Sequence, residues 1–295
     1  MVLDTLIVGG GPAGLVAAVY LARFRREVVV IDAKASRASL IPRSHNCPGF
    51  PEGISGVDLL QRLRDQATRY GARIVGDFVD RAERSEQGGY LAHCATQTLA
   101  ARTLVLATGV VDIEPELPNL RDAIRQGLIR HCPICDGYEV QGNRVAVIGR
   151  GSKGVREARF IRHFTGSLTL FSLGAAGISD DERRELEEAG IDLIESAVTE
   201  VHREERAIVG LQTADEREHR FDTLYSSLGT LCHCALAHDL GVRCAEDGSI
   251  LTDRHQRTSV HGVYACGDVV HDTLSQIAVA FGQAAIAATA IHNSL

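Results

Sequence analysis

The sequence lacks long runs of any one residue class. It contains no stretch of the ~18 consecutive apolar residues that a membrane-spanning helix requires, so no such helix is predicted. Residues 1–5 do not form a basic segment followed by an apolar one, so no secretory signal peptide is predicted either. We therefore expect a cytoplasmic protein, in which cysteines stay reduced unless they take part in catalysis.

Clusters of basic residues are also missing. The chain has 31 Lys and Arg against 38 Asp and Glu, which gives a formal net charge of -7, and the basic residues form no long run. Because phosphate backbones are bound by clustered Lys and Arg, a nucleic-acid partner is not predicted. The 295 residues exceed an ordinary domain of ~100 to 150 residues, so two domains are expected.

The sequence further lacks the second cysteine pair that a zinc site would need. Cys132 and Cys135 are separated by two residues, whereas the other close pair, Cys232 and Cys234, is one residue too tight for a zinc knuckle. No metal site is therefore predicted. The Cys132/Cys135 spacing suits a small disulfide ring that opens to a dithiol, and this redox interpretation is favoured over two inert buried thiols.

The residues that flank this pair support redox chemistry. His131 precedes the first cysteine, and Asp136 follows the second and offers a proton donor or acceptor beside its sulfur. The remaining cysteines are predicted to be small packing residues. These are Cys47, Cys94, Cys232, Cys234, Cys244 and Cys266.

The first 32 residues follow the pattern of a dinucleotide-binding βαβ unit. An apolar strand at 5–8 leads into the glycine turn 9–14, a helix at 15–22, a second strand at 28–31, and then Asp32. In such units the first glycine allows a tight turn, the second lets the backbone approach a pyrophosphate, and the third permits close packing of helix and strand. We assign these roles to Gly9, Gly11 and Gly14 in that order. Asp32 is expected to accept hydrogen bonds from the ribose of an adenosine.

The pattern occurs a second time. A strand at 144–148 is followed by the glycine turn 149–154, a helix at 155–164 and a strand at 167–171. The repeat indicates an internal duplication, and with it an α/β fold with two Rossmann-like, three-layer dinucleotide-binding domains. The second copy departs from a working site, because residues 172–177 contain neither an acid for a ribose nor arginines for a 2'-phosphate.

The segment between the two copies is predicted to contain one helix, short strands and a linker. Residues 56–67 have helical spacing, and short strands at 73–75 and 91–94 are interpreted as a connecting meander. A buried strand at 103–109 ends in small residues able to lie flat against a ring system, and 111–118 is interpreted as a linker.

The end of the chain pairs a strand and a helix. Residues 262–269 form a short strand that closes on a Gly-Asp turn, and a helix of small residues runs from Ser275 to about Ile291. Asp268 is placed to accept hydrogen bonds from ribityl hydroxyls, and the nearby helix N-terminus to oppose negative charge on a flavin pyrimidine.

Five motifs, in this order along the chain, resemble those of the low-molecular-weight thioredoxin reductases: residues 9–14, Asn46 with 48–51, 107–109, 132–137 and 262–269. The resemblance covers nearly the whole chain. It implies a flavoprotein whose FAD domain is split by an inserted NAD(P)-type domain. The predicted ranges are 1–114 and 245–295 for the FAD-binding domain and 115–244 for the NAD(P)-type domain with the cysteine pair.

The resemblance also implies roles for individual residues. Cys135 would face the flavin and receive electrons, Cys132 would exchange with the substrate disulfide, and Asp136 would handle the proton, with His131 as a further catalytic candidate. Asn46 would lie near the isoalloxazine ring. The implied FAD-binding residues are Gly9, Gly11, Pro12, Ala13, Gly14, Asp32, Ala33, Lys34, Asn46, Val79, Ala107, Thr108, Gly109, Gly267, Asp268, Gln276 and Ile277.

The same likeness implies a thioredoxin-like protein disulfide as the partner, a homodimer, and a rotation of the two domains about hinges near 112–118 and 242–250. Its NADPH-dependent members carry His-Arg-Arg and a further Arg after the second-copy strand, where this chain has 172–174, Ser-Leu-Gly. Since hydrogen bonds to charged groups contribute ~1.5 to 3 kcal/mol each, losing two such arginines would weaken 2'-phosphate binding by roughly 10² to 10⁴. Arg150 and Lys153, in the glycine turn 149–154, are the cations available to compensate for these arginines. Arg156 stands where the family usually has an acid.

Three functions therefore remain open from the sequence. The first is a thioredoxin reductase-like enzyme whose electron donor is NADH, weakly held NADPH or a non-nucleotide donor such as ferredoxin. The second is a small-molecule dithiol oxidase that passes electrons from the flavin to oxygen; those relatives carry a His where this chain has Asp136, which favours the reductase. The third is a flavin-binding redox sensor without turnover.

Overall fold

A computed structural model describes residues 2–115, 120–173, 177–204 and 207–295 of the protein. Residues 116–118 of the predicted linker and hinge, and 174–176 of the loop after the second-copy strand, lie outside the described residues. Within the described residues, no helix is both long and apolar enough to pass through a lipid bilayer.

The strands β1 to β17 are, in chain order, Leu3–Val8, Val28–Ile31, Arg73–Val75, Val79–Arg84, Tyr90–Cys94, Thr98–Leu106, Val110–Asp112, Ile129–Arg130, Arg144–Gly149, Ser167–Ser172, Asp192–Ile194, Val198–Glu204, Ala207–Thr213, Glu218–His219, Thr223–Ser227, Thr230–Cys232 and Val263–Ala265. The helices α1 to α8 are Pro12–Arg23, Gly56–Arg69, Leu120–Arg125, Pro133–Asp136, Gly151–Ile161, Asp180–Glu188, Ala235–Asp239 and Ile277–Ser294. Single 3-10 turns lie at Arg37–Leu40 and Tyr138–Val140.

The chain forms two compact units. The first unit comprises Met1–Ser39, Cys47–Val111 and Leu231–Leu295, and the second comprises Leu40–Asn46 and Asp112–Thr230. The chain passes from one unit to the other at 39–40, at 46–47, and within the short strands β7 and β16, which pair with each other in a two-stranded sheet. The domain ranges expected from the sequence stay a prediction, and they differ from the compact units chiefly in residues 231–244, which pack with the first unit.

The first unit is built on a seven-stranded sheet. Its order is β3-β2-β1-β6-β5-β4, and β17 also pairs with β6. The pairs among β3, β2, β1, β6 and β17 are parallel, whereas β4, β5 and the first half of β6 form an antiparallel meander. The interpretation of β3 as part of a meander was wrong, because β3 extends the parallel edge next to β2.

The second unit is built on a five-stranded parallel sheet of order β11-β10-β9-β15-β8. A three-stranded antiparallel sheet of β12, β13 and β14 accompanies it. Parallel sheets are covered on both faces. On one face of this sheet, buried aliphatic side chains of β9, β10 and α5 form a core. The predicted α/β class with two dinucleotide-binding domains is confirmed.

The bounds of helix α5 differ from those predicted. Helix α5 begins at Gly151, four residues before the predicted start, and ends at Ile161, three before the predicted end. Apolar periodicity cannot register the first turn of this helix, because that turn consists of Gly, Ser and Lys.

Candidate functional site

Four of the predicted FAD-binding segments follow strands that end at the same edge of the first unit's sheet. Strands β1, β2, β6 and β17 are mutually parallel through the pairs β1–β2, β1–β6 and β17–β6. Residues 9–14, 32–34, 107–109 and 267–268 follow their carboxyl ends in turn. Ligands of open α/β sheets bind outside this edge, so the tertiary structure brings the four segments together where a dinucleotide would be held.

The first glycine turn is packed so closely that side chains are excluded. A Cβ on Gly9, whose φ is +116°, would lie 2.2 Å from the carbonyl oxygen of Ala107. A Cβ on Gly14 would lie 1.9 Å from the carbonyl oxygen of Gly9. Gly11, by contrast, would meet only the Ser36 hydroxyl, at 3.3 Å, among the described residues. The turn thus combines tight packing at Gly9 and Gly14 with an open backbone at Gly11.

Asp32 is held rigidly at the end of β2. Its carboxylate accepts hydrogen bonds from the Arg64 guanidinium at 2.9 Å and from the Lys34 backbone N–H at 2.8 Å. The residue is 3% exposed, and a Cβ on Gly10 would lie 2.1 Å from its Cγ. The sequence missed Arg64, which sits on α2 and reaches Asp32 only through the tertiary fold. Ala33 and Lys34 follow Asp32 at the exposed surface.

The C-terminal motif packs directly on the glycine turn. Gly267, with φ +84°, lies so close to Ala13 that a Cβ there would be 2.9 Å from the Ala13 Cβ. The carboxylate of Asp268 lies 3.4 Å from the Arg37 guanidinium. Gln276 is the N-cap of α8 and Ile277 its first residue, so both lie at the helix start, as predicted.

These residues fit an FAD molecule. Helix α1 begins at Pro12 with N-cap Gly11, and within the described residues no side chain caps its first N–H groups and no acid lies in its first turn. A helix start of this kind favours an anionic phosphate. Gly109 has φ +68°, and the Thr108 hydroxyl is tied to the His233 carbonyl oxygen at 2.7 Å, which fixes the small-residue turn.

Two other predicted cofactor residues do not directly follow one of these four strands, and their place beside FAD stays a prediction. Val79 is 4% exposed and starts β4 opposite Cys94 in the antiparallel meander. Asn46 belongs to the second unit, where its amide donates a hydrogen bond to the Ile134 carbonyl oxygen at 3.3 Å and its Oδ1 accepts one from Ser44. Asn46 therefore contacts the backbone between the two cysteines.

The cysteine pair forms the predicted small ring. Cys132 and Cys135 are joined by a disulfide at the start of α4. The Cys135 backbone N–H donates to the Cys132 Sγ at 3.2 Å, a contact that would stabilise a thiolate on Cys132 after the ring opens. Gly137 ends the turn, and a Cβ there would lie 2.6 Å from the ring of Phe164, which follows α5, so the turn packs closely on that ring. We call residues 131–137 the redox turn.

Both carboxyl oxygens of Asp136, in the redox turn, are held by neighbouring side chains. One oxygen lies 2.9 Å from Arg130 Nη1, and the other accepts a hydrogen bond from the Tyr225 hydroxyl at 2.7 Å. Burial raises the pKa of Asp136, while the Arg130 charge and the Tyr225 hydroxyl act to lower it and the Glu139 carboxylate acts to raise it. The sequence missed Arg130 and Tyr225; Tyr225 is 89 residues from Asp136, so no local pattern could reveal it.

His131 lies at the other end of the redox turn. Its Nε2 is 3.9 Å from Glu114 Oε1, and 11% of its side chain is exposed. The imidazole is therefore mostly covered and faces a carboxylate.

The second glycine turn repeats the close packing of the first. A Cβ on Gly149 would lie 2.7 Å from the Gly154 Cα, so strand and helix meet closely. A Cβ on Gly151 would lie 3.2 Å from the Gly177 carbonyl oxygen. Hydrogen bonding, chiefly from the Ser152 hydroxyl, lowers the pKa of Glu182, which places that carboxylate at the start of α5.

The six remaining cysteines carry free thiols. Cys47 and Cys266 are buried, and burial raises the pKa of Cys47 and raises that of Cys266 to about 12. Burial likewise raises the pKa values of Cys94, Cys232 and Cys244. A raised pKa lowers the thiolate fraction, so these thiols are poor nucleophiles at neutral pH.

Comparison with known proteins assigns the family. Residues 3–284 match the family described as pyridine nucleotide-disulphide oxidoreductase. The chain belongs to this family. The oxidoreductase is 27% identical to the thioredoxin reductase of Bacillus subtilis strain 168 over 99% of its own length and 94% of that protein.

Solved structures agree with this assignment. The oxidoreductase superposes on the thioredoxin reductase of Streptococcus pyogenes MGAS5005 with a TM-score of 0.92 and 25% identity, covering 99% of this chain and 97% of that one. The atypical thioredoxin reductase TRi of Desulfovibrio vulgaris Hildenborough is 32% identical, with a TM-score of 0.56 and coverage of 99% and 97%. The protein is therefore a thioredoxin reductase-like flavoprotein disulfide oxidoreductase of a family that uses FAD.

Proposed function

We propose that the oxidoreductase passes electrons through Cys135 and Cys132 to a disulfide of a thioredoxin-like protein. The observation that carries this proposal is the Cys132–Cys135 disulfide, followed directly by the carboxyl of Asp136, whose side chain is 22% exposed and paired with Arg130. Relatives that match over nearly the full length are named thioredoxin reductases, which supports a partner of the thioredoxin type and, as in that family, a homodimer.

The chain's own residues divide the work. Gly9, Gly11, Gly14, Asp32 and the start of α1 would hold FAD, which supplies the electron pair when bound. The Cys135 N–H stabilises negative charge on Cys132, so Cys132 is the sulfur prepared to attack a partner disulfide. Asp136 gives or takes the proton at the neighbouring Cys135.

Additional residues keep the redox turn in place. The Asn46 amide holds the Ile134 carbonyl, and the close contact of Gly137 with the Phe164 ring holds the end of the turn. We assign Asn46 this positioning role, and the place beside the flavin ring that the resemblance implies for it stays a prediction. His131, paired with Glu114, stays a candidate for proton transfer.

Replacement of Cys135 by serine tests the proposal. The Cys135→Ser variant should keep the yellow colour of bound FAD and lose reduction of a thioredoxin disulfide, because the ring can no longer form. Cys94→Ser, which removes a half-buried thiol outside the redox turn, is the matched control and should retain turnover. Full turnover by Cys135→Ser would refute the proposal. Oxygen uptake driven by a small dithiol, with no reduction of thioredoxin, would instead identify a dithiol oxidase.

A further inference from the structure

The carboxyl of Asp136 is surrounded by groups from three elements of the second unit. Arg130 at the end of β8 pairs with Oδ2 at 2.9 Å, and Tyr225 on β15 donates to Oδ1 at 2.7 Å. Glu139, in the 3-10 turn that follows the redox turn, adds a like charge. Both carboxyl oxygens are therefore engaged, one by a cation and one by a neutral donor.

Tyr225 is set deeply enough to act as a fixed donor. The residue is 0% exposed, and its hydroxyl also approaches the Asp136 carbonyl oxygen at 3.2 Å. Burial, with the Asp136 charge acting in the same direction, raises the pKa of Tyr225, so the phenol stays protonated throughout the working range. Arg130 is also well covered, with 19% of its side chain exposed. Hydrogen bonds in such surroundings are strengthened by the low local dielectric.

We propose that Tyr225 and Arg130 are positioning residues that hold the Asp136 carboxyl at the redox turn and stabilise its ionised form once it has given its proton to Cys135. The inference rests on the proposed function, since it assumes that Asp136 serves the Cys132/Cys135 pair. It goes beyond that function because it names the groups that set the pH at which Asp136 changes its charge.

The step balances for a dithiol reductant such as dithiothreitol. Its thiolate attacks Cys132, the Cys132–Cys135 bond breaks, and Cys135 leaves with the electron pair and takes the proton of Asp136. The second thiol of the reductant then displaces Cys132 and closes its own disulfide, so the reductant is oxidised by two electrons and the pair is reduced by two. The Asp136 carboxylate left behind is the species that Tyr225 and Arg130 hold.

Tyr225→Phe is the direct test, because it removes one hydroxyl and keeps the buried ring. Asp136 is followed by infrared titration of its protonated carboxyl band, assigned with Asp136→Asn, and by the pH dependence of disulfide reduction in the FAD-loaded protein. Loss of the hydrogen bond should raise the titration midpoint by about 1 to 2 pH units. The matched control is Tyr90→Phe, which removes a buried hydroxyl bonded to the His261 carbonyl oxygen in the first unit.

Arg130→Gln should move the midpoint in the same direction. If that variant does not fold, Tyr225→Phe alone decides. The inference is supported if Tyr225→Phe shifts the infrared midpoint and the pH profile together while Tyr90→Phe shifts neither. It is overturned if the Tyr225→Phe midpoint equals that of the unmodified protein, or if activity falls equally at every pH. Retained turnover in Cys135→Ser would be a separate failure, that of the proposed function.

Discussion

The two glycine turns share one backbone design and differ in the residues at the ends of the neighbouring strands. In the first unit, β2 ends beside Asp32, which is buried and bonded to Arg64. In the second unit, β10 ends in Ser172. The glycine turn of this unit lies beside Gly177 and the Glu182 carboxylate. Strand-to-helix packing is thus preserved in both units, whereas residues 172–177 after β10 contain no acid like the Asp32 that follows β2.

The glycines of these turns are therefore explained by close packing of strand and helix, and they do not by themselves indicate a bound ligand. Gly149 and Gly154 approach each other so closely that neither tolerates a Cβ without movement, and this holds whatever the turn binds. The residues after the strands carry the chemistry, because the carboxyl edge of a parallel sheet is where ligands are contacted. The comparison predicts that equivalent changes in the two units have unequal consequences.

The largest difference is expected for alanine at the third glycine of each turn. In Gly14→Ala the new Cβ would lie 1.9 Å from a backbone oxygen, whereas in Gly154→Ala it would lie 3.0 Å from the Gly149 Cα. Since overpacking costs ~1 to 3 kcal/mol, Gly14→Ala should bind FAD roughly 10- to 100-fold more weakly. Gly154→Ala should retain FAD. Equilibrium dialysis with FAD, alongside circular dichroism to verify folding, measures both, and equal FAD binding by the two variants would contradict the comparison.

A smaller effect is expected on the choice of electron donor. Without arginines after β10, NADPH should bleach the bound flavin no faster than NADH under anaerobic conditions. Leu173→Arg places a guanidinium beside this strand end and should raise the rate with NADPH relative to NADH by roughly fivefold, since an exposed ion pair contributes ~1 kcal/mol or less.

Leu173→Gln controls for the lost apolar side chain and should leave the NADPH to NADH ratio unchanged. A strong preference for NADPH in the unmodified protein would show that the second turn binds a 2'-phosphate by other groups. Reduction by neither nucleotide would indicate a different kind of donor.

The smallest effect, on the free energy of unfolding, is expected for an ion pair at the first strand of each βαβ unit, β1 and β9. Arg144 at the start of β9 pairs with Asp222 at 2.9 Å, and Asp4 in β1 pairs with Arg102 at 3.3 Å. Hydrogen bonds from the Arg144 side chain hold the pKa of Asp222 below its usual value. The associated stability is present above the unfolded pKa of about 3.9 and is lost as the pH falls through the folded value.

Asp222→Asn should therefore lower the free energy of unfolding by about 1 kcal/mol or less at pH 7, because both side chains are about half exposed. The difference from the unmodified protein should shrink as the pH falls below the unfolded pKa of about 3.9 and through the lower folded value. Urea unfolding at several pH values measures it, with Asp4→Asn as the matching change in the first unit. A constant difference at every pH would assign the effect to something other than charge.

Local patterns predicted much of this molecule. The strand at 28–31 and the start of α2 at Gly56 agree with the structure, because apolar runs and glycine signals are properties of neighbouring residues. The Cys132–Cys135 ring was likewise predictable from a two-residue spacing. The parallel placement of β3 was not, since a three-residue strand carries no signal for its partner.

The candidate site shows the same limit. Asp136 was found from its place beside Cys135, but Arg130 and Tyr225, which engage both of its oxygens, were not. The place of Asn46 near the flavin, implied by resemblance, stays a prediction, and its hydrogen bond to the Ile134 carbonyl was not predicted from the sequence. Side-chain partners that are distant in sequence depend on sheet order, which local periodicity does not encode.

The sequence by itself determined the two βαβ units, the redox pair and its neighbouring acid, because each depends on residues a few positions apart. The tertiary structure decided which groups surround that acid and which strand ends meet at the edge where ligands are contacted. Strand order brings β8 and β15 next to the redox turn and the Gly177 backbone onto the second glycine turn. Such contacts arise from the packing of parallel strands, whose neighbours are set by the whole chain.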